Sequence, residues 1–433
     1  MAIDNKDKKV LKSSIEREQN EVACSAECEK IKGSKNLNVP PLRFPEFTEE
    51  WKAEQLDNIA TLSKGIGISK EQLSEDGEPC ILYGELYTKY KSEIIKQVES
   101  KTDINGSKLK RSKANDVIIP CSGETAVDIA TARCVPFDNI LFGGDLNVIS
   151  LHQYDGAFMS YQLNGKRKYD IARVAQGVSI VHLYGEHLKA IKTYNPTLPE
   201  QQKIAKLLSL LDDRIDTQNK IIEKLQSLIK GLNDNIHKGI KGETVCFSDL
   251  GEAYSGLSGK GGDDFGYGEP FITYMNVYQN TYISEKDYEL VQIAPNEKQN
   301  SVQYGDALFT LSSETPEEVG IGAVYLGNTQ KLYLNSFCFG IHFYDERVLP
   351  QYLAHFISSS SFRRAIYPLA QGSTRFNLQK NDFMKMKFLL PSLEKQGHIA
   401  NTLDALHCRL ANEKSLTEQY ILLKKYLLSL MFI

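Results

Sequence analysis

The chain has 433 residues, of which 41% are hydrophobic and 24% are charged, and its formal net charge is -4. This composition is typical of a folded globular protein of about three domains. The slightly negative charge excludes a broad positive field that would attract nucleic acid along the whole chain. No run of about 18 apolar residues occurs, and the N-terminus lacks the apolar core of a signal peptide, so we expect a cytoplasmic protein without membrane contact.

Residues 1–39 are polar, mixed in charge and unlike the rest of the chain. They predict an N-terminal extension that is helical or partly disordered. Cys24 and Cys28 form a close pair here, but no histidine stands at ligand spacing, and the sequence therefore predicts no metal site. The other six cysteines are scattered, and we expect them to be small buried residues with reduced thiols.

From residue 40 onward the sequence repeats itself in the same order. Residues 116–125 (DVIIPCSGET) align with residues 306–315 (DALFTLSSET), 190 positions later, and residues 196–205 (PTLPEQQKIA) align with residues 391–400 (PSLEKQGHIA), 195 positions later. A period this long exceeds that of solenoid repeats, so each copy is a whole domain followed by a helix. We therefore predict a first domain over 40–199, a long helix over 200–240, a second domain over 241–393 and a second long helix over 394–433.

The two domains are predicted to be mixed α/β with more strand than helix. Short β-rich runs cover residues 116–120, 307–311, 322–326 and 337–343, and they are separated by glycine, asparagine and serine. The best helical segment of the second domain is 349–357. The predicted fold class is α+β, with two homologous domains joined by two long antiparallel coiled-coil helices in a pseudo-two-fold arrangement.

The first long helix carries a sustained apolar seam with alternating steps of four and three residues, which is typical of a coiled coil. Polar Gln218 interrupts the seam and is expected to fix its register. The helix should span on the order of 58 Å at about 1.5 Å per residue. Pro199 in its first turn and Gly239 at its end suit the two termini. The residues predicted to form the seam are Ile204, Leu208, Leu211, Ile215, Ile222, Leu225, Ile229 and Leu232.

The second long helix is less regular. Its predicted pairing residues are Ile399, Leu403, Leu406, Leu410, Tyr420 and Leu427, with polar Glu413 between them. Steps from Leu410 to Glu413 and on to Leu416 would locally overwind the seam. Each helix could pack only on its own domain, but we expect the two helices to pair and to hold the two domains at opposite ends.

The sequence contains none of the common catalytic motifs. It has no phosphate-binding loop ending in Lys-Ser or Lys-Thr, no G-x-S-x-G, no H-E-x-x-H and no Cys-x-x-Cys. We therefore predict no catalytic residues and no cofactor in this chain.

Basic residues cluster locally although acidic residues slightly outnumber basic residues in each domain. One cluster includes Lys110 and Arg111, a second includes Arg173, and a third includes Arg363, Arg364 and Arg375. Such clusters are more often solvated surface than binding sites, so they favour nucleic acid only if the fold gathers them on one face.

The domain–helix–domain–helix order resembles the specificity subunit of type I restriction-modification enzymes, over roughly residues 37–433. The resemblance is carried by VPPLRFPEF before Trp51, by the two aligned loops 116–125 and 306–315, by QGVSI and QGSTR, and by the PTLPEQQKIA start of the first long helix. Each motif is weak alone, but together, twice and in order, they are fairly specific.

The resemblance implies that each domain is a target recognition domain that reads one half of a bipartite, asymmetric site in double-stranded DNA. It implies that the paired helices set the gap between the half-sites. Two methyltransferase subunits and the restriction subunits would be the partners. S-adenosylmethionine, ATP and magnesium would belong to those partners, and this chain would carry specificity without catalysis.

Two kinds of DNA contact are predicted from the residues and from the resemblance. The recurring polar loops are candidates for base contacts because short hydroxyl and carboxylate side chains fit base edges, although turn chemistry explains them equally well. Arg375 and the residues around it are candidates for phosphate contacts, and the tyrosines could instead pack within strands. The complete set is Lys64, Tyr87, Lys110, Arg111, Ser122, Glu124, Thr125, Arg173, Ser179, Lys260, Tyr278, Ser312, Ser313, Glu314, Thr315, Arg363, Arg364, Ser373, Thr374 and Arg375.

One alternative class fits the same sequence pattern. A duplicated scaffold without enzymatic activity could use its helices and domains to bind other proteins and have no role on DNA. A fusion of methyltransferase and nuclease is disfavoured because the cofactor motifs are missing.

Overall fold

A computed structural model describes residues 38–105 and 108–433 of the chain. The predicted N-terminal extension, with Cys24 and Cys28, lies outside the described residues except for its last two positions. The chain divides into two compact units. The first contains the described residues up to Asp212 together with Leu423–Ile433, and the second is Asp213–Leu422.

The first unit contains a mixed α/β domain. Its strands are β1 (Lys52–Gln55), β2 (Ala60–Lys64), β3 (Glu78–Ile81), β4 (Lys101–Thr102), β5 (Lys110–Arg111), β6 (Asp116–Pro120), β7 (Ser122–Gly123), β8 (Arg133–Val135), β9 (Leu141–Phe142), β10 (Leu146–Leu151), β11 (Val181–His182) and β12 (Lys192–Asn195). Its short helices are α1 (Leu56–Ile59), α2 (Glu85–Thr88), α3 (Ala126–Ile129), α4 (Gly156–Asn164), α5 (Lys168–Val174) and α6 (Gly185–Lys189). The long helix α7 (Leu198–Lys238) follows and continues into the second unit.

The second unit contains the second domain. Its strands are β13 (Glu243–Cys246), β14 (Gly251–Ser255), β15 (Phe265–Ile272), β16 (Tyr288–Val291), β17 (Ala307–Thr310), β18 (Ser312–Ser313), β19 (Gly322–Val324), β20 (Tyr333–Leu334), β21 (Cys338–Phe343), β22 (Ala370–Gln371), β23 (Phe376–Leu378) and β24 (Lys387–Leu390). Its helices are α8 (Phe247–Leu250), α9 (Tyr274–Gln279), α10 (Pro350–Ile357), α11 (Ser360–Ile366) and α12 (Lys380–Met384). The long helix α13 (Leu393–Leu430) ends the chain.

The two domains share one sheet topology, which confirms the duplication. The central sheet runs β2-β10-β6-β8 in the first domain and β14-β21-β17-β19 in the second, with antiparallel pairing throughout. The parallel pair β3 and β9 recurs as β15 and β20. The first strand of each domain pairs with its last, β1 with β12 and β13 with β24.

The strands predicted from sequence are present to within one or two residues. Three of them, β6, β17 and β21, are central in their sheets, whereas β19 lies at an edge. Every residue of β6 is buried, with Val117 and Ile119 in one core and Ile118 in another. The equivalent strand β17 places Phe309 in one core and Leu308 in another. A strand covered on both faces reads as a continuous apolar run, which is the pattern that the sequence shows.

Each long helix begins against its own domain. In the first unit Ile204 and Leu208 of α7 pack with Trp51 and Phe158 of the domain and with Leu427 near the end of α13. In the second unit Ile399 of α13 packs against the core of the second domain, so this predicted pairing residue serves its own domain instead.

Further along, the helices contact each other in an antiparallel direction. In the second unit Gln218 donates a hydrogen bond to buried Glu413, and Arg214 lies against Tyr420. The lower residue number on α7 contacts the higher residue number on α13, so the two helices run in opposite directions. This confirms the predicted antiparallel pairing. The predicted positions Leu211, Ile215, Ile222, Leu225, Ile229, Leu232, Leu403, Leu406 and Leu410 are buried or half-buried.

The predicted irregularity in the second helix is wrong. After Glu413 the buried position is Thr417, whereas Leu416 is half-buried, and Leu423 is 44% exposed beside half-buried Lys424. The seam thus keeps its steps of three and four residues by accepting polar side chains. Apolar residues alone therefore predicted the wrong face of the helix to be buried after Glu413.

The cysteine prediction holds for four of the six scattered residues. Cys80, Cys121, Cys134 and Cys338 are buried, whereas Cys246 is half-buried and Cys408 is exposed. All six are free thiols. Across residues 38–105 and 108–433, no helix combines the length and apolar character needed to cross a bilayer.

A buried ion cluster joins the helices in the first unit. The Lys424 ammonium lies 2.6 Å from an Asp212 carboxylate oxygen and 2.5 Å from a Glu93 carboxylate oxygen. Tyr161 donates a hydrogen bond of 2.6 Å to the other oxygen of Asp212. The side chains of the three charged residues are at most 16% exposed, and Lys424 forms an ion pair with both carboxylates that offsets part of their lost hydration.

We predict that Lys424→Met lowers the free energy of unfolding by about 3 kcal/mol, since it leaves two buried carboxylates without their cation. Urea titration followed by circular dichroism measures this change. The matched control is Lys425→Met at an exposed position, where we expect a change within about 0.5 kcal/mol. Equal stabilities for the two variants would contradict a stabilising role for the cluster.

Three histidines meet where α7, α10 and α13 pack in the second unit. His355 is buried, and its Nε2 lies 2.7 Å from an Asp404 oxygen, while His407 stacks on it at 5.4 Å. His237 of α7 is buried beside them and bonds the Asn233 carbonyl. Burial lowers the pKa of all three below the ordinary value of 6.5, and for His355 the hydrogen bond to Asp404 opposes that shift.

The stability of this junction should depend on pH. The unfolded chain takes up protons at these histidines below pH 6.5, whereas the folded chain does so only at lower pH. The stability that neutral histidines support is therefore present above pH 6.5 and is lost as the pH falls toward the lowered pKa values. We predict that His407→Gln makes the fall in unfolding free energy between pH 7 and pH 5 less steep, as measured by urea titration at each pH.

His398→Gln is the matched control for that measurement. The side chain of His398 lies on the same helix and is 79% exposed. This variant should keep the steepness of the parent chain. If both variants reduce the pH dependence of the unfolding free energy equally, burial of His407 does not cause that dependence.

Candidate nucleic-acid interface

Five of the predicted contact residues of the second domain line one open cleft, namely Tyr278, Ser312, Ser313, Glu314 and Arg375. The cleft has a volume of about 310 Å³ and lies between α9, β18, the start of β21 and the turn after β22. We call it the Arg375 cleft. Its lining residues are Tyr274, Met275, Tyr278, Ser312, Ser313, Glu314, Glu318, Phe337 and Arg375.

One wall of the Arg375 cleft is a pair of tyrosines on α9. Their rings stack at 6.0 Å, and the Tyr274 hydroxyl donates to the Ser312 carbonyl at 2.9 Å. The alternative that the tyrosines pack within strands is wrong for this pair, because Thr273 caps a helix there by accepting a hydrogen bond from the Asn276 N–H. The helix directs both rings toward the polar loop.

The floor of the cleft is a hydrogen-bonded carboxylate. Glu318 accepts from the Tyr278 hydroxyl at 2.7 Å and from the Ser313 hydroxyl at 3.1 Å. The Tyr278 hydrogen bond lowers the pKa of Glu318, and the same bond raises the pKa of Tyr278. Ser312 and Ser313 are buried, so the exposed residues of this loop are Glu314 and Thr315.

The opposite wall is cationic and aromatic. The Arg375 guanidinium lies 5.9 Å from the centre of the Phe337 ring, and Phe337 is 54% exposed. Arg375 is exposed and lines the open cleft.

The first domain builds a related surface with different chemistry. Tyr87 donates to the Ser122 carbonyl at 3.2 Å, as Tyr274 does to the Ser312 carbonyl. In sequence, however, Tyr87 matches Tyr278, because residues 81–87 (ILYGELY) align with residues 272–278 (ITYMNVY). Burial raises the pKa of Tyr87. Glu124 and Thr125 are exposed, and Thr125 caps α3 by accepting from the Asp128 N–H. The alternative explanation of Thr125, a local structural role in the turn, is therefore confirmed.

Several predicted cations lie apart from these surfaces or have other partners. Arg111 of β5 forms an ion pair with Glu78 at 2.6 Å, and Arg173 of α5 forms one with Asp170 at 3.1 Å. Lys260 is buried against Glu297 at 2.5 Å. Lys64 lies 5.7 Å from the Tyr184 ring. The remaining predicted contacts are Lys110 on β5, Ser179 in an exposed loop, Arg364 on α11, and Ser373 and Thr374 in the exposed turn before Arg375. DNA contact by these residues stays a prediction.

Arg363 has a structural role that the sequence did not reveal. Its guanidinium donates to the carbonyls of Gly320, Glu317 and Val319 at 2.6 to 2.7 Å. Three of its donors therefore hold the loop that follows β18. The structure favours this role over the predicted DNA contact.

Sequence reasoning missed Phe337, Met275 and, in the first domain, Asp145 and Ile180. Recurrence between the copies does not reveal these residues, because each differs from its counterpart in the other copy. Exposed positions at which the two copies carry different side chains could have identified them.

Comparisons with known proteins agree with this architecture. The sequence matches the family described as type I restriction modification DNA specificity domain over residues 48–227 and again over residues 242–419. The chain belongs to this family. Each of the two matched segments contains one of the duplicated domains and part of the long helix after it, so the chain carries two DNA specificity domains.

Known relatives of these DNA specificity domains extend over almost the full chain. The specificity subunit of the type I restriction enzyme MjaVIII from Methanocaldococcus jannaschii is 22% identical over 425 residues, covering 90% of this chain and 93% of the relative. The type I restriction-modification S subunit from M. genitalium has a similar fold, with a TM-score of 0.54 at 14% identity over 91% of this chain and 99% of the other. A chain from a structure of complex assembly in the type I R-M system has a TM-score of 0.55 at 14% identity, over 90% and 98%.

We predict that Arg363→Ala lowers the free energy of unfolding by about 2 to 4 kcal/mol, because three carbonyls lose a charged donor. Arg364→Ala is the matched control, since it removes the same charge at an exposed neighbouring position and should change stability by about 0.5 kcal/mol or less. Chemical denaturation of both variants measures the difference. A stable Arg363→Ala variant would contradict the structural role.

Proposed function

We propose that this chain is the subunit that gives a type I restriction-modification complex its DNA sequence specificity. Each domain reads one half of a bipartite, asymmetric site in double-stranded DNA. The observation that carries the proposal is the double match to the DNA specificity family, with one match on each of two domains of equal topology. Duplicated domains with different surface side chains are suited to reading two different half-sites.

The paired helices support a linking role. Rigid linkage turns the second half-site contact into an intramolecular event, so two modest affinities multiply when the spacing fits. The buried ion cluster and the contact between Gln218 and Glu413 fix the register of the helices within each unit. We expect the length of the helices to set the gap between the half-sites.

Exposed apolar residues on α13 support docking of partner subunits. In the first unit Leu423 is 44% exposed, and Tyr426, about one turn further along the same helix, is 58% exposed. Contiguous exposed apolar surface on a folded chain marks an interaction site more often than chance. Two methyltransferase subunits and the restriction subunits are the proposed partners, in the cytoplasm.

The chemistry would belong to those partners. Methyl transfer needs S-adenosylmethionine, and DNA translocation and cleavage need ATP and magnesium, and we expect these to bind the partner subunits. This chain would act without catalysis of its own, by presenting base-reading side chains at the two domains.

The direct test is to map methylated adenines in DNA from cells that express this chain with its methyltransferase subunits. We expect methylation at a single asymmetric sequence made of two specified halves and an unspecified spacer. The control is the methyltransferase subunits expressed without this chain, which should methylate no such site. The same methylated site in both strains would contradict the proposal and favour a scaffold without a DNA role.

A further inference from the structure

The internal duplication separates shared framework from divergent surface. The Asp145 carbonyl before β10 accepts from Cys121 N–H at 2.7 Å, and the Phe337 carbonyl before β21 accepts from Leu311 N–H at 2.8 Å. Asp145 and Phe337 therefore hold the same position in the two domains. One copy has a carboxylate there, and the other has an aromatic ring.

Arg375 has an equally well defined counterpart. Strand β11 pairs with β7 as β23 pairs with β18, and this register places Ile180 where the second domain has Arg375. The turn before them has the same shape, since Gly177 has φ of 122° and Gly372 has φ of 143°. A Cβ on either glycine would lie 2.1 Å from the carbonyl oxygen of residue 180 or 375 respectively.

The same backbone thus presents isoleucine in one copy and arginine in the other. Ile180 is 60% exposed, and Arg375 is also exposed, so neither side chain is required by a buried core. Phosphate contacts are independent of sequence, and a phosphate ligand at this position would suit both domains equally. A cation found in only one domain is better explained by a feature that differs between the half-sites.

The chemistry of the Arg375 cleft indicates which feature that is. Arginine donates two parallel hydrogen bonds to O6 and N7 of guanine, the commonest base-specific contact in the major groove. The Arg375 guanidinium lies over the Phe337 ring, 5.9 Å from its centre, and a cation–π contact of this kind favours orientations of the fork that stay beside the ring. The open cleft leaves room for the base edge to approach.

We infer that Arg375, oriented by Phe337, is the residue with which the second domain recognises a guanine of its half-site. This inference rests on the proposed function, because it names the base contact of one of the two domains. It also replaces the expectation from sequence that Arg375 binds phosphate.

The test uses the whole complex of this chain with its methyltransferase subunits, and selects bound sequences from random double-stranded DNA. The variants are Arg375→Lys, which keeps the charge and loses the fork, and Arg375→Ile, which copies the first domain. We expect both variants to lose preference for one G·C pair of a single half-site by roughly tenfold to a hundredfold. The other half-site and the spacer should stay as in the parent chain.

Lys298→Ala is the control for a general loss of positive charge, since Lys298 is exposed in the same domain and does not line the cleft. It should leave both half-sites unchanged. Thermal unfolding of all variants should match the parent chain, since Arg375 is exposed.

Two outcomes would overturn the inference alone. One is an Arg375→Lys complex that keeps every base preference while Arg375→Ile weakens binding to all sequences equally, which is the behaviour of a phosphate contact. The other is that the parent complex selects a two-part site and both Arg375 variants keep every G·C preference of its two halves. A parent complex that selects no two-part sequence would instead overturn the proposed function, and the inference with it.

Discussion

The fold depends on helices that accept buried charge. Lys424 and Asp212 pair where an all-apolar seam would place leucine or isoleucine, with Glu93 of the first domain against Lys424, and Gln218 meets Glu413 in the second unit. Buried charges are costly unless paired, so these contacts form only when the helices stand in one register. A coiled coil held by leucines alone could slide by a heptad, and such a slip would leave these charges unpaired. The polar contacts therefore trade some stability for a single alignment of the helices.

That alignment matters because each domain is built onto the helix that follows it. Ile204 and Leu208 share a core with Trp51 and Phe158 of the first domain, and Ile399 extends the core of the second. Each domain is thereby fixed to a helix rather than suspended from a loop. In the second unit the other long helix, α7, also contacts the domain. Its His237 is buried, and the side chain of its Asn233 donates a hydrogen bond to the His355 carbonyl.

Much of the fold could be predicted from the sequence, because strong patterns have one physical cause. The strand at Asp116–Pro120 and the helix Leu198–Lys238 follow from burial on two faces and from heptad spacing. Prediction failed where polar residues occupy the helix seam, as at Thr417 and Lys424, because apolar spacing does not reveal them. The residues of the Arg375 cleft were harder to predict. Similarity between the two copies identifies Ser312, Glu314 and the tyrosines. Phe337 becomes a candidate only when its exposure and its counterpart Asp145 are known. The partners of Arg363 are backbone carbonyls, which no pattern of side chains encodes.

The glycine turns before Ile180 and Arg375 carry an evolutionary consequence. Because Gly177 and Gly372 fix the backbone, the residue three positions later can be exchanged without disturbing the core behind it. Mutation at that one codon would therefore meet little selection against misfolding. A lineage could acquire a new target sequence in small steps, each yielding a protein that still folds, and could do so separately in its two copies.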